Sequence, residues 1–275
     1  MTAVNTARGT ARRAARNPAL VGLTRVGFIG YGLVHLALGS LAIQIALGHS
    51  GQEGDQSGAF HVLAGQPFGK LLLIVVVVGL TAMAIWQLLL AAVGHVDKHG
   101  KARTFERIAS GARVVVYAVL AWTAYKVLKG TAASSARQQR DVTSGAMAHT
   151  GGVWLIGIVG VGVVALGIGL IWYGAKHQFE RKLRTGQMSR KAKRVARWLG
   201  TAGYVAKGVA FGIVGVLLTD AAVTHEPGAS TGLDAALRVL AAQPFGELLL
   251  IVAGVGVIAF GVYCFFQARY RKVGS

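Results

Sequence analysis

Apolar residues run through this chain in six long blocks, at about 23–47, 68–93, 107–128, 152–175, 198–222 and 245–267. Each block is near the roughly 20 residues that a helix needs to cross about 30 Å of hydrocarbon. Stretches such as Leu71 to Leu80 are continuously apolar instead of alternating. Alternation would mark a barrel strand, whereas a continuous run satisfies its backbone in lipid only as a helix. The pattern predicts an all-α integral membrane protein with six transmembrane helices.

The blocks come in pairs. Leu63 and Ala64 precede Gln66-Pro67-Phe68-Gly69, and Leu71 to Val75 follow it; Leu240, Ala241, Gln243-Pro244-Phe245-Gly246 and Leu248 to Val252 repeat that text. A fainter copy runs from Arg107 to about Gln178, so the chain holds three units of roughly 75 to 90 residues, each with two apolar segments. The divisions are a basic tail over 1–22, hairpin repeats over 23–95, 106–178 and 198–270, and a basic linker over 179–197. All three hairpins start on one side and return to it, which makes them parallel-oriented repeats related by an axis along the membrane normal. Three such units are able to close into a pseudo-threefold bundle, and open arrangements are equally compatible.

Composition sharpens this picture. The chain is 53% apolar and only 14% charged, yet its net charge is +19. Its basic residues are one-sided: about 20 of the 29 fall in the N-terminal tail, at 98–107, at 176–197 and at 269–272. That is the positive-inside bias, and it predicts a multi-pass protein of the cell membrane with both termini cytoplasmic. Arg190, Lys191, Lys193, Arg194 and Arg197 lead into Trp198, a juxtamembrane cluster suited to anionic lipid headgroups. Charge alone does not read nucleic acid, and no reading element accompanies it, so nucleic acid is not an expected partner. Arg12 and Arg13 precede an apolar stretch too long for a signal peptide and without a small-residue cleavage site, which reads as an uncleaved first helix. The single cysteine, Cys264, excludes a disulfide framework.

Aligned first helices set Tyr31, Arg113 and Lys207 at equivalent positions, and His35, Tyr117 and Phe211 one turn deeper. Charges inside a membrane span are functional candidates by default, although long side chains also snorkel back to the headgroups. Tyr31, His35, Arg113, Tyr117 and Lys207 are therefore the candidate substrate- or lipid-binding residues. Lys70 and Glu247 stand at equivalent points after the two Pro-Phe-Gly turns with opposite charge, a candidate ion pair between hairpins one and three. In the outer loops, Ser57 and Asp234 are expected to N-cap short helices over Ala59–Ala64 and Ala235–Ala242; the middle loop lacks the proline, so its turn is expected to differ. His49, Glu53, Asp55, His61, Asp141, His149, His225, Glu226 and Asp234 enrich these loops in imidazole and carboxylate, and His95 and His99 have one-turn spacing. None of these spacings is diagnostic of a metal, and neither a metal nor another cofactor is expected. The glycines, including Gly157, Gly160, Gly162, Gly208, Gly212 and Gly215, read as close helix packing.

The residues resemble a family, the actinobacterial membrane proteins classed as domain of unknown function 1206. The resemblance rests on the glycine-aromatic-x-small-basic-glycine pattern at 203–208, the Ser/Thr-Gly-Ala loop, and the turns at 66–69 and 243–246. It covers about Leu23 to Ala268. The first repeat departs at Tyr31, where the pattern has a basic residue, and the second at Val114, where it has glycine. The resemblance implies a membrane location and three two-helix repeats.

No nucleophile elbow, phosphate loop or zinc helix motif occurs, so an enzyme is not expected. The expected function is transport of a small solute or ion along a path between repeats. The alternative is a structural or anionic-lipid-binding scaffold.

Overall fold

A computed structural model describes residues 18–49, 53–93, 100–131, 135–149, 151–225 and 232–272. Residues 1–17, His95, His99 and Glu226 lie outside them. The described residues form nine α-helices: α1 (Pro18–Ala46), α2 (Gln56–Ala64), α3 (Gly69–Val93), α4 (Gly100–Leu128), α5 (Ser135–Met147), α6 (Gly152–Ala175), α7 (Arg190–Thr224), α8 (Leu233–Ala241) and α9 (Gly246–Tyr270). Helices α1, α3, α4, α6, α7 and α9 are long and apolar enough to span a bilayer. They match the six sequence blocks, and α7 runs longer than expected because residues 190–197, read as linker, are its first two turns.

Packing follows the repeats. In cyclic order the spans touch as α1–α3–α4 and α6–α7–α9–α1. Each contact expected of a pseudo-threefold ring is present except one: α4 and α6, the two arms of the middle hairpin, make no extended contact. The bundle is a six-helix ring opened at one seam.

Glycine explains the closed contacts. Where α1 meets α9, a Cβ at Gly39 would sit 2.6 Å from the Gly254 carbonyl oxygen, and one at Gly32 2.9 Å from that of Gly261. The pair α7 and α6 repeats this register: Gly208 against Gly167 at 2.6 Å and Gly215 against Gly160 at 2.7 Å. Lipid removes the hydrophobic incentive for helices to associate, so close backbone approach across small residues has to supply the attraction. Within repeats one and three, Gly30 packs on Gly79 and Ala206 on Gly256, again at equivalent positions. In repeat two the corresponding Gly162 has nothing within 4 Å of its Cβ position.

At the loop end, all three hairpins close the same turn. Gly69, Gly152 and Gly246 each donate to a carbonyl three residues back (Gln66, His149, Gln243) at 2.8 Å. A Cβ there would lie 2.2, 1.7 and 2.0 Å from the carbonyl oxygens of Ala64, Ala146 and Ala241, which only glycine avoids. The middle turn shares this closure and differs, as the missing proline predicts, at the residue before the glycine. What it lacks is the left-handed phenylalanine: Phe68 and Phe245 have φ of +62° and +61°, whereas Gly151 has −85°. Both phenylalanines are exposed, as aromatic residues at a membrane interface are.

The short helices start earlier than expected. Asp55, not Ser57, caps α2 by accepting from the Gly58 amide at 2.9 Å, and Gly232, not Asp234, precedes α8. The reason is that Asp234 is used elsewhere. Its buried carboxylate accepts from the Gly54 amide at 2.7 Å and from Arg238 Nε at 2.7 Å, tying the outer loops of repeats one and three together. Burial pushes the Asp55 carboxyl up, and the hydrogen bond to Asp234 holds Arg238 above its usual range.

The opposite, basic end is plugged. After α6 the chain makes two short 3-10 turns, Gln178–Lys182 and Thr185–Gln187, that drive Phe179 and Leu183 fully inside. Phe179 stacks on Tyr204 with centroids 5.5 Å apart and meets Tyr263 edge-on at 5.2 Å. Leu183 bridges to Arg271, with Arg184 donating to the Tyr270 carbonyl at 2.8 Å and Lys272 to that of Lys182 at 3.0 Å. Arg271 spreads its guanidinium over Phe28 and Trp86, 4.9 and 5.0 Å from the rings.

Candidate functional site

Lys207 lies nine residues past Trp198 on α7, about 13 Å along the axis at 1.5 Å per residue. That depth is close to the middle of a bilayer about 30 Å thick. The side chain does not snorkel: its Nζ turns into the ring, donating to Tyr31 Oη at 2.9 Å and lying 3.2 Å from His35 Nε2. His35 Nδ1 is 2.8 Å from the Tyr31 carbonyl oxygen, so Nδ1 carries the proton and Nε2 accepts from Lys207. The ammonium also sits 4.1 Å from the Phe260 centroid and 5.1 Å from that of Tyr31. Tyr117 completes the group from α4, its ring edge-on to that of Tyr31 with centroids 5.4 Å apart.

The arrangement brings four helices to one point. Tyr31 and His35 come from α1, Tyr117 from α4, Lys207 from α7 and Phe260 from α9. A lysine at mid-membrane costs about 3 kcal/mol. Two hydrogen bonds to neutral partners and two ring faces offset that, since a desolvated cation–π contact contributes about 2 kcal/mol. No carboxylate among the described residues interacts with it. The Tyr31 oxygen accepts from Lys207, leaving its own proton to donate.

Four of the five expected site residues thus meet in one cluster, Tyr31, His35 and Lys207 by hydrogen bonds and Tyr117 by ring contact. Arg113 is the exception: it is exposed on α4, within electrostatic reach of Tyr31, Tyr117 and, across the open seam, Tyr173 of α6. Lys70 and Glu247 are not brought together. Both are exposed on α3 and α9, which are separated in the ring by α1; ion pairs do form between Arg197 and Glu180 and between Arg238 and Asp234. The Arg197 pair holds Glu180 below its usual range. Among the described residues, no group of three or more potential metal ligands assembles. Sequence reasoning missed Phe260. Its signal was available, because it occupies the position of Met83 in the first repeat, facing the first helix of its own hairpin.

No solved structure matches this chain. An uncharacterized protein of Bacillus subtilis (strain 168), YxxB, is 31% identical to it over 251 residues, covering 90% of each chain. The family model for Domain of Unknown Function DUF1206 matches three times, at residues 26–94, 108–177 and 202–271, one match to each hairpin that the ring is built from. A membrane bundle of three two-helix repeats with this coverage belongs to the DUF1206 family.

Proposed function

We propose that this protein binds an anion inside the bilayer at Lys207 and acts as a carrier or receptor, not as an enzyme. The observation that carries this reading is an inward-turned lysine at mid-membrane whose partners are all neutral. A charge that needed only shelter would reach the headgroups or meet a carboxylate. Tyr31 and Tyr117 supply hydroxyls beside it, and Arg113 adds a second positive charge at the seam. The basic end faces the cytoplasm in this reading, with the protein in the cell membrane and both termini inside.

The test is ligand-dependent stability in nanodiscs of neutral lipid. A ligand that binds only the folded state stabilises it by about 2.7 kcal/mol at a hundredfold excess over Kd. Acetate, chloride and phosphate are titrated against the wild type and Lys207→Met. An anion that raises the unfolding temperature of the wild type alone supports the site; equal responses in both proteins refute it.

A second reading, an anionic-lipid scaffold, is favoured by the basic end. Arg190, Lys193, Arg194 and Arg197 share one face of α7 and line, with His177, Trp198 and Thr201, a concavity of about 540 Å³. Vesicle binding that follows the anionic-lipid fraction, and falls on charge reversal at Arg190, Lys193 and Arg194, is its test.

A further inference from the structure

The open seam decides how a ligand reaches Lys207. The basic end is closed by Phe179, Leu183 and the bridge to Arg271, and the loop end is tied by Asp234 to Gly54. The side is not closed. In repeat one, Val76 and Met83 of α3 are 0% and 1% exposed; at the same positions of α6, Val159 and Leu166 are 43% and 50% exposed, and Gly162 between them meets nothing. Phe211, one turn beyond Lys207 on α7, is also exposed. With α4 and α6 out of extended contact, these exposed apolar residues and the exposed Arg113 leave the seam open as a lateral groove with an apolar wall and a cation beside it.

We infer that this groove takes a single-chain amphiphile with an anionic head, a long-chain carboxylate, whose tail lies between α4 and α6 while its head meets Lys207 and the Tyr31 hydroxyl. The inference rests on the reading of Lys207 as an anion site and names its ligand. Tails in the groove and tails in the surrounding lipid are nearly equivalent, so the chain contributes little selectivity. The head decides. Drawing a carboxylate about 13 Å below the headgroups is costly unless it meets a cation, and here one charge meets one ammonium with a guanidinium at the entrance. Neutral lipids fill the groove without being retained. A phospholipid would have to bring its glycerol and ester groups along, and the base offers few donors beyond Lys207, Tyr31 and Arg113 to pair them.

The experiment uses the full chain in phosphatidylcholine nanodiscs, with palmitate and acetate as probes and native mass spectrometry and thermal unfolding as readouts. Two variants are compared with the wild type. Lys207→Met removes the cation; Ala112→Cys/Gly162→Cys in a Cys264→Ala background lets a bis-maleimide bridge the seam, and its unbridged form controls for folding. One equivalent of palmitate on the wild type, with affinity at least tenfold weaker in Lys207→Met and in the bridged protein, is the expected result. Lys207-dependent acetate binding without palmitate binding, or palmitate binding that survives bridging, overturns the lateral amphiphile and leaves the anion site standing. If neither probe distinguishes Lys207→Met from the wild type, both fall.

Discussion

A single added methyl group separates the closed contacts of the ring from its open seam. Gly39→Ala places a Cβ 2.6 Å from the Gly254 carbonyl oxygen and from Ile258 Cγ1, and 2.9 Å from the Ile258 amide nitrogen. Gly160→Ala does the same to Thr219 Oγ1 at 2.4 Å and its amide nitrogen at 2.7 Å. Much of what is struck is backbone, so the helices must separate. Overpacking of this kind costs about 1–3 kcal/mol, and alanine returns up to about 1 kcal/mol of helix propensity. The net loss expected at each site is about 0–2 kcal/mol. Gly162→Ala meets nothing within 4 Å and keeps only the propensity term, so it is expected to be neutral or stabilising. Reversible SDS unfolding followed by far-UV circular dichroism ranks the three variants. Equal destabilisation by Gly162→Ala and Gly39→Ala would refute the open seam, because Gly162 would then be packed as Gly79 and Gly256 are.

Three further outcomes are expected. Phe179→Ala empties the plug against Tyr204 and Tyr263 and is expected to cost about 3–5 kcal/mol, measured in the same SDS titration; a loss below about 1 kcal/mol would mean that the segment after α6 does not seat in the bundle. Burial raises the Asp55 pKa in the folded state, so the native protein holds that proton to higher pH than the unfolded chain, and stability falls as pH rises above the ordinary carboxyl value of 3.8 until the folded pKa is passed. Asp55→Asn keeps the cap and is expected to flatten that slope, while Asp55→Ala loses about 1 kcal/mol of capping; unfolding profiles from pH 4 to 7 separate the two. Asp234→Ala strands the Gly54 amide and frees Arg238, and hydrogen–deuterium exchange is expected to rise at both 53–55 and 233–238; an increase confined to α8 would contradict the link between repeats.

Much of this architecture was legible in the residues because lipid leaves few choices. Continuous apolar runs have one way to satisfy their backbone, and the repeated turn text marks the same corner three times. The middle turn diverges at Gly151, yet it keeps the closing hydrogen bond, since the steric demand for glycine at 69, 152 and 246 does not depend on the proline. The site was partly legible for the same reason: aligning first helices set Tyr31, Lys207, His35 and Tyr117 at related heights. Other features depended on competition that spacing does not show. Asp234 suits an N-cap, but the Gly54 amide and Arg238 claim its carboxylate; Lys70 and Glu247 are equivalent in sequence, yet α1 stands between their helices.

The seam shows why equivalence in sequence does not impose equivalence in space. The arms of the middle hairpin carry Ala112 and Gly162 where the other hairpins hold Gly30 against Gly79 and Ala206 against Gly256, so their small residues permit closure. Nothing in lipid compels it, because leaving Val159 and Leu166 against acyl chains costs no hydrophobic energy. Helix α6 is instead held from one side, through Gly160 and Gly167 against α7. Helix α4 packs on α3 with Val114 and Ala121 at the positions that are Gly32 and Gly39 in the first repeat, an interface without those close glycine contacts. The consequence falls where the chemistry differs most between repeats. The one lysine at the centre comes from repeat three, its hydrogen-bond partners from repeat one, and the hairpin that would seal them in is the one left open. A strict threefold bundle would bury three equivalent positions behind three equivalent walls; this one keeps Lys207 behind an opening walled by Val159 and Leu166, with Arg113 beside it, and the proposed amphiphile site rests on that asymmetry.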